Sequence, residues 1–343
     1  MINRTELQII RKLILEPLNL WQIINTQDGD IKETLHALKN LQGQELVDFK
    51  GSLISISEKG KQILEHLSFP PYIDSGCKCC KGNGLIVAEG FKKVLDEFER
   101  IFLNRPGETA EFDQGVVPPE NSIRRVEFLY ERGDLEGRKI LLLGDDDLTS
   151  VALSLTGLPE RVHVIEIDER IVNYINKVAK ENNLNLSAEA YNAVKPLPGH
   201  LVRQFDVFLT DPVETVKGTL LFVSRCAQSL KGKSSSGYFG LSHYESSLRK
   251  WIEIEKGLLN MNFVITDVLR DFNEYLLTGE RILKEGFLVV KESPVKVEAP
   301  DYPWYRSTFF RLELVSEVKA FVEGEVEWNR TLYFDEDTFV VRQ

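Results

Sequence analysis

The chain has 343 residues, of which 43% are hydrophobic, so its length predicts more than one domain with packed cores. The formal net charge of -11 argues against nucleic acid or an anionic membrane surface as a partner and leaves small cations admissible. No stretch reaches the roughly 18 apolar residues of a transmembrane helix, and the charged start MINRTELQIIRKL does not resemble a signal peptide. Three of the four cysteines crowd into one loop, which is no disulfide framework, so we expect a cytoplasmic protein without a membrane partner.

Residues 1–68 show helical periodicity, then two short strand patterns and a final helix. The helical runs are TELQIIRKLILEPL, PLNLWQIIN and GDIKETLHALKNLQ, the strands are ELVDFK and LISIS, and the last helix begins at Ser57. This order resembles a winged helix-turn-helix. Residues 1–70 carry eight basic and nine acidic side chains, however, and the predicted recognition helix DIKETLHALKN is not basic. We therefore expect a scaffold or a dimerisation module in a homodimer, rather than a nucleic-acid-binding domain.

Residues 69–137 are predicted to form a linker with a cysteine loop and a helical lead-in. The segment FPPYIDSGCKCCKGNG is a linker by its proline and glycine content. Cys77 and Cys80 have the spacing of half a zinc site, but a closed structural site needs four ligands and no second pair follows. They are weak metal candidates, and a loop of reduced thiols is the alternative. Helical patterns follow in LIVAEGFKKVLDEFERIFLNRP and IRRVEFLYERGDL.

Residues 138–343 alternate between apolar strand patterns and helical patterns. The predicted strands are KILLLG, RVHVIEID, FDVFLTDP, SGYFGLS, NFVITDVL, GFLVVKE at 286–292, and FFRLELV. The alternation predicts an α/β fold with a mostly parallel, doubly wound sheet. In such a sheet, ligands bind beyond the carboxyl ends of the strands, where the chain order reverses.

The first of these strand ends carries three adjacent acids. Gly144 stands where a glycine-rich ligand loop is expected, and Asp145, Asp146 and Asp147 follow it. One carboxylate can cap the next helix, which contributes about 1 kcal/mol. The other two repel each other, and proteins keep such pairs mainly where a cation offsets the repulsion. These acids would also repel a phosphate, which argues against ATP or a dinucleotide.

Two further strand ends are acidic. Glu166 lies 22 residues after Gly144, a position suited to accept hydrogen bonds from ribose hydroxyls, whereas Asp168 fits a helix cap better. Asp211 and Glu214 close the strand FDVFLTDP and face the same crevice. Together these residues predict a nucleoside pocket with an anionic reactive end.

Such a pocket favours a cationic co-substrate. S-adenosylmethionine carries a carboxylate that the aspartates would repel, whereas decarboxylated S-adenosylmethionine presents a sulfonium and an ammonium group that they would attract. A methyltransferase that uses S-adenosylmethionine on an amine or a base remains an alternative, because Asp-Pro at this strand end also fits that class. A winged-helix DNA-binding regulator with a ligand-sensing α/β domain is a third hypothesis, against which the acidic N-terminal residues count.

Several motifs together resemble the branched-chain polyamine synthase family of thermophilic archaea and bacteria. They are RGDLEGRKILLLGDDDLTSVALSLTGLP, VIEIDERIVNYI, YNAVKPLP, FDVFLTDPVETVKG and FNEY. The resemblance spans nearly the whole chain and implies an aminopropyltransferase on a methyltransferase-like Rossmann core, preceded by the winged-helix-like α+β domain. Such an enzyme would move two aminopropyl groups in turn from decarboxylated S-adenosylmethionine to the central nitrogen of spermidine, giving N(4)-bis(aminopropyl)spermidine and methylthioadenosine. No cofactor or metal would be required, because the sulfonium leaves as a neutral thioether.

The resemblance also implies site residues. The family's catalytic carboxylate lies in GDDD, and aligning Gly144 with the first glycine of the GGGDGG loop of linear spermidine synthases ranks Asp147 above Asp146 and Asp145. The expected donor-binding residues are Gly144, Gln114, Glu166, Asp168, Asn192 and Asp211. The expected amine-binding residues are Asp113, Asp211, Glu214, Glu274 and Tyr275. Asn192 stands where the family often has aspartate, and Val213 where it usually has proline; neither change removes the acids of the strand end.

Overall fold

The computed structural model describes residues 2–66, 77, 79, 86–109, 112, 114–284 and 286–340. The secondary structure forms a small N-terminal unit followed by a larger α/β unit. Within the described ranges, no helix combines the length and the apolar character needed to cross a membrane.

Over residues 2–66, the N-terminal unit combines helices with a three-stranded antiparallel sheet of order β1-β3-β2. Its elements are α1 (Arg4–Leu13), β1 (Leu18–Asn19), α2 (Leu20–Ile24), α3 (Ile31–Gly43), β2 (Val47–Lys50), β3 (Leu53–Ile56) and α4 (Glu58–His66). Asparagine and aspartate side chains fix the helix starts: Asn3 accepts from the backbone of Glu6, and Asp30 from that of Glu33. The helices and the β2-β3 hairpin follow the predicted pattern, and β1 adds a short strand that was not predicted.

The core of the N-terminal unit continues into the α/β unit. The rings of Trp21 and Trp304 pack with centroids 4.5 Å apart, and Trp21 Nε1 donates a 2.8 Å hydrogen bond to the carbonyl of Glu298. The backbone N–H of Ile31, the first residue of α3, donates to the carbonyl of Tyr244 at 2.9 Å. The helix that corresponds to a recognition helix in the winged-helix pattern therefore begins against the α/β unit.

The α/β unit is built on a seven-stranded sheet over the described residues. Its helices and strands are α5 (Lys92–Phe102), α6 (Pro119–Glu131), β4 (Lys139–Leu143), α7 (Thr149–Leu155), β5 (Arg161–Glu166), α8 (Glu169–Glu181), β6 (Leu186–Ala190), β7 (Val207–Thr210), α9 (Val216–Ser229), β8 (Ser236–Leu241), α10 (Leu248–Asn260), β9 (Phe263–Tyr275), α11 (Arg281–Lys284), α12 (Leu288–Lys291) and β10 (Tyr305–Leu314). The strand order is β6-β5-β4-β7-β8-β10-β9, with β10 antiparallel to both of its neighbours. The predicted α/β class with a methyltransferase-like Rossmann sheet is confirmed.

Strand β4 shows why the sequences of the central strands are largely apolar along their whole length. Ile140 and Leu142 lie in the core shared with α5 to α8, whereas Leu141 and Leu143 lie in the core shared with α9 and α10. Successive residues of a strand face opposite sides, so a sheet covered on both faces needs apolar residues throughout. Apart from His163 in β5, the polar side chains of β4, β5 and β7 stand at the strand ends, and these three strands end at the same edge because they are parallel.

The strand predicted at residues 286–292 is wrong. These residues contain helix α12, in which Val289 is buried and donates its N–H to the carbonyl of Phe339. A short apolar run rich in β-branched residues does not distinguish a strand from a buried helical turn. The sequence did not predict strand β6. Its sequence LSAEA is mostly half-buried, so it has no strong apolar pattern.

Candidate active site

A cavity of about 570 Å³ opens at the carboxyl ends of the parallel strands. Its acidic lining side chains are Glu108, Asp146, Glu166, Asp211, Glu214 and Glu245, and its basic ones are Arg281 and Arg330. Residues near the C-terminus, including Trp328 and Tyr333, also line it, although the sequence motifs did not indicate them. Among the described lining residues, acids outnumber arginines by six to two, and this excess of negative charge favours cationic ligands even though Glu108 and Asp211 are paired with arginines.

The GDDD loop uses two of its carboxylates to begin helix α7. Gly144 adopts a positive φ of 77°, which the turn requires after β4. Asp145 Oδ1 then accepts from the N–H of Ser150 at 3.1 Å, and Asp147 Oδ1 accepts from the N–H and the hydroxyl of Thr149 at 3.1 and 2.8 Å. Helix capping therefore accounts for two aspartates, where the sequence suggested only one.

Asp146 is the aspartate of the GDDD loop that lines the cavity among the described residues. Its Oδ2 atom is buried and has no hydrogen-bond partner in the described part of the chain. Burial raises the pKa of Asp146 well above its ordinary value, and the negative charges of Asp147 and Glu166 act in the same direction. This carboxylate is consequently poised to take up a proton or to hold a cation.

The cation that offsets the clustered carboxylates is Arg125, on helix α6. Its Nη1 lies 2.6 Å from Asp147 Oδ2, its Nη2 lies 3.0 Å from Asp211 Oδ2, and its Nε donates to Asn273 Oδ1 at 2.8 Å. Burial acts against the charged guanidinium, but the two carboxylates raise the pKa of Arg125 above its ordinary value. Sequence reasoning missed this residue, because IRRVEFLYE offers two adjacent arginines and nothing to tell which one turns inward.

Asp211, after β7, is held in place from several sides. Besides the bond from Arg125, its Oδ2 accepts from the hydroxyl of Tyr275 at 2.7 Å. Burial raises the pKa of Asp211, while the charge of Arg125 lowers it. A side chain at Gly240 on β8 would put its Cβ 2.2 Å from Asp211 Oδ1, so only glycine leaves room for this carboxylate.

Glu166, at the end of β5, lines the cavity while its two oxygens accept backbone hydrogen bonds. Oε2 accepts from the N–H of Asp145 and Oε1 from that of Asp168, both at 2.9 Å. Burial raises the pKa of Glu166, and these hydrogen bonds lower it. The backbone thus fixes the carboxylate, and each oxygen retains a lone pair that can accept from a ligand hydroxyl.

Of the other predicted donor-binding residues, Gln114 and Asn192 line the cavity and Asp168 does not. Asp168 caps helix α8 and does not line the cavity; it accepts from Arg170 and, at 2.9 Å, from the amide of Gln114. Gln114 itself lines the cavity, so Asp168 orients a lining side chain. Asn192 also lines the cavity, and its Oδ1 accepts from the N–H of Val194 at 3.1 Å.

Two glutamates lie near the ends of β7 and β8. Glu214 and Glu245 both line the cavity, and the hydroxyl of Tyr305 lies 3.3 Å from Glu214 Oε1 and 2.8 Å from Glu245 Oε2, the closer acceptor for its single proton. Glu245 also accepts from the backbone N–H groups of Phe339 and Val340 at 2.6 Å. Sequence reasoning named Glu214 but missed Glu245, whose signal was an acid shortly after the strand SGYFGLS.

The structure does not bring every predicted residue to the cavity. Glu274 pairs instead with Arg306 at 3.1 Å and lies outside the lining, while its neighbour Tyr275 is within it. Asp147, ranked first from the sequence, faces Arg125 rather than the cavity. Asp113 and Cys80 lie outside the described residues. Cys77 is exposed, and its sulfur lies 3.0 Å from that of Cys79.

The fold and the cavity together define a class of protein: a methyltransferase-like Rossmann sheet with an acidic pocket at the strand ends. A family model described as "Branched-chain polyamine synthase A C-terminal domain" matches residues 93–340, a range that begins at the second residue of α5. The chain therefore belongs to the branched-chain polyamine synthase family.

Relatives support this assignment over most of the chain. A protein of Thermococcus kodakarensis named N(4)-bis(aminopropyl)spermidine synthase is 38% identical over 322 residues, which cover 93% of this chain and 90% of the relative. A protein of the same name from Methanocaldococcus jannaschii is 37% identical over 327 residues, which cover 95% of this chain and 91% of that relative. The crystal structure of the branched-chain polyamine synthase from Thermus thermophilus, in complex with N4-aminopropylspermidine and 5'-methylthioadenosine, superposes with a TM-score of 0.86 at 32% identity, covering 98% of this chain and 92% of that one.

Proposed function

We propose that this chain transfers aminopropyl groups from decarboxylated S-adenosylmethionine to the central nitrogen of spermidine, giving N(4)-bis(aminopropyl)spermidine and methylthioadenosine. The observation that carries the proposal is the excess of acidic over basic side chains in the cavity. This charge favours a donor without a carboxylate and an acceptor with several ammonium groups. The names of the relatives and the ligands of the Thermus structure support the same reaction.

The donor nucleoside is proposed to lie along the ends of β4, β5 and β6. The Glu166 carboxylate would accept from the ribose hydroxyls, and the side chain of Asn192 would meet the adenine edge. Gly144 lets the backbone approach the donor, and Gln114, held by Asp168, lines the same cavity. Asp211 lies beside the junction between donor and amine.

We propose Asp146, rather than Asp147, as the group that receives the proton of the attacking amine. Asp147 is already engaged by Arg125 and by Thr149, whereas Asp146 lines the cavity with an unpartnered Oδ2 among the described residues. A secondary ammonium must lose a proton before its lone pair can attack carbon. A positioned carboxylate that accepts it typically accelerates such a step by about 10² to 10⁴. Asp145 serves as the cap of α7.

The bond changes balance without a cofactor. The amine nitrogen forms a bond to the aminopropyl carbon next to sulfur, and the carbon–sulfur bond breaks with its electron pair going to sulfur. The sulfonium becomes a neutral thioether, which needs no acid to leave, and its positive charge passes to the nitrogen. The proton that goes to Asp146 is the one that the starting ammonium loses before attack: a secondary ammonium in the first transfer, and a tertiary ammonium in the second, which leaves a quaternary nitrogen. Holding both reactants in line supplies a further part of the rate acceleration.

The amine chain is proposed to lie along the acids of β7 and β8. Asp211, Glu214 and Glu245 would hold its ammonium groups, with Tyr275 fixing the position of Asp211. Asp113 remains proposed for this role on the family resemblance. Glu274 is not proposed as a direct contact, because its carboxylate is paired with Arg306 outside the cavity lining.

We also propose a homodimer that acts in the cytoplasm. Unbridged cysteines are typical of a reducing compartment, and a winged-helix-like unit commonly mediates pairing. Analytical ultracentrifugation measures the oligomeric state directly, and a monomer at micromolar concentration would contradict the dimer.

The test of the reaction is a product assay. The full chain is incubated with spermidine and either decarboxylated S-adenosylmethionine or S-adenosylmethionine, and the products are fragmented by mass spectrometry. We expect N4-aminopropylspermidine, then the doubly substituted product, with one methylthioadenosine per transfer, and no methylated amine. Methylated spermidine, or only linear products, would contradict the proposal.

A further inference from the structure

Three potential metal ligands meet at the edge of the sheet, away from the residues that line the cavity. His163 lies on β5, Glu189 on the edge strand β6, and His200 in the short turn Gly199–Leu201. Their nearest ligand atoms, two imidazole nitrogens and one carboxylate oxygen, all lie within 4.8 Å of one another. None of the three lines the cavity of the active site.

The distances within this cluster suit a small metal ion. Glu189 Oε1 lies 3.5 Å from His163 Nε2 and 3.0 Å from His200 Nε2. Around a tetrahedral zinc ion, with bonds of about 2.1 Å, neighbouring ligand atoms are separated by about 3.4 Å. Both distances to Glu189 are within about half an ångström of that spacing, and the two imidazole nitrogens lie within 4.8 Å of each other.

The orientation of His163 points independently to a ligand. Its side chain is only 7% exposed, and its Nδ1 lies 2.8 Å from the hydroxyl of Ser187, which fixes the ring. The opposite nitrogen, Nε2, has no hydrogen-bond partner among the described residues and is aimed at Glu189. A histidine whose second nitrogen is held by a polar group, with the first turned toward a carboxylate, is the arrangement found around bound metals.

The electrostatics agree with this geometry. The Glu189 carboxylate oxygen lies next to both imidazole nitrogens, and its negative charge would attract a cation held by the three side chains. His200 is largely exposed, so water can complete the coordination shell.

We propose that His163, Glu189 and His200 bind a divalent transition metal of the zinc class. Two imidazoles and one carboxylate suit zinc and its neighbours cobalt and nickel better than magnesium or calcium, which prefer oxygen ligands. The ion would join β5 and β6 to the segment that follows β6. That segment begins with Tyr191 and Asn192, which line the active-site cavity, so the metal would fix one wall of the donor pocket.

The test is zinc binding by the full chain after removal of bound metal and of any affinity tag. Cys77, Cys79 and Cys80 are first replaced by serine, because thiols also bind zinc. Isothermal titration calorimetry then measures zinc binding by this cysteine-free variant and by the same variant with His163→Gln or His200→Gln. His66→Gln, which changes an exposed histidine outside the cluster, is the matched control. His200→Gln changes an exposed side chain, so it tests the site without disturbing the core.

We expect one zinc ion per chain with micromolar or tighter affinity, and a rise in the melting temperature on binding. Each cluster substitution should weaken binding more than about tenfold, since even changes around metal ligands typically cost that much. His66→Gln should leave binding unchanged. Absence of stoichiometric binding, or binding that survives His200→Gln, would overturn the proposal.

Discussion

Asp147 forms a buried ion pair with Arg125, with 2.6 Å between Oδ2 and Nη1 and side chains that are 5% and 1% exposed. The same guanidinium also binds Asp211, so one cation joins the ends of β4 and β7 to helix α6. Some acids at this edge of the sheet therefore stabilise the fold, and others line the cavity. Asp147 helps to build the edge, and Asp146 faces the cavity.

Arg125→Met should destabilise the protein strongly. It would leave two buried carboxylates without their cation, and breaking a buried pair from one side typically costs about 3–5 kcal/mol. Urea denaturation followed by circular dichroism measures the change. Arg132→Met is the control, because its pair with Asp267 is more exposed and such pairs contribute about 0–1 kcal/mol. Equal losses for the two variants would contradict the structural role of Arg125.

Gly240→Ala should impair the amine end of the site. The new Cβ would lie 2.2 Å from Asp211 Oδ1, so the carboxylate must move away from its present position. We expect the KM for spermidine to rise more than about tenfold, since a charged hydrogen bond contributes about 1.5–3 kcal/mol. Gly43→Ala, at the end of α3 with open space around it, is the control in the same steady-state assay. An unchanged KM would show that Asp211 does not hold the amine.

Glu166→Gln should weaken nucleoside binding. A glutamine amide cannot accept both backbone hydrogen bonds that the carboxylate accepts, and it presents a donor to one of the two N–H groups. The dissociation constant for methylthioadenosine, measured by titration calorimetry, should rise about tenfold or more. The control is Glu169→Gln on the exposed first turn of α8. An unchanged dissociation constant in Glu166→Gln would show that Glu166 does not bind the nucleoside.

Asp146→Asn should stabilise the ligand-free protein, and the gain should grow with pH. The pKa of Asp146 is raised in the folded state, so folding favours its protonated form. Below the ordinary aspartate pKa, near 3.9, the carboxyl is protonated in both states and exerts no pH-dependent effect. As the pH rises from there towards the folded-state pKa, the unfolded state ionises first and the wild type loses stability relative to the variant. Melting temperatures across this range test the sign, and a gain that shrinks as the pH rises would contradict it.

Much of the fold was predictable because the strands are buried on both faces. KILLLG and RVHVIEID each end in glycine or acids and are each followed by a helical pattern, and this alternation of strand and helix predicts a parallel sheet. Glu166 could be located for the same reason, since its distance from Gly144 follows from one βαβ unit. Residues 286–292 were assigned to a strand although they contain a helix, because an apolar run this short shows neither the period of a strand nor that of a helix.

The remainder of the site depends on long-range contacts that no local pattern contains. Arg125 reaches Asp147 and Asp211 only after helix α6 has packed across the sheet, and Glu245 reaches the cavity through the backbone of Phe339. The choice between Asp146 and Asp147 likewise depends on which way each side chain turns after Gly144. The family resemblance indicated the GDDD loop, but the direction of each carboxylate required the structure.

The most direct test of the account is the single-turnover rate of aminopropyl transfer in Asp146→Asn, with donor affinity measured in parallel and Arg132→Met as a control for altered surface charge. We predict a rate about 10² to 10⁴ lower than in the wild type, with methylthioadenosine binding retained, because the amine would keep its proton. A rate within a few-fold of the wild type would contradict Asp146 as the proton acceptor.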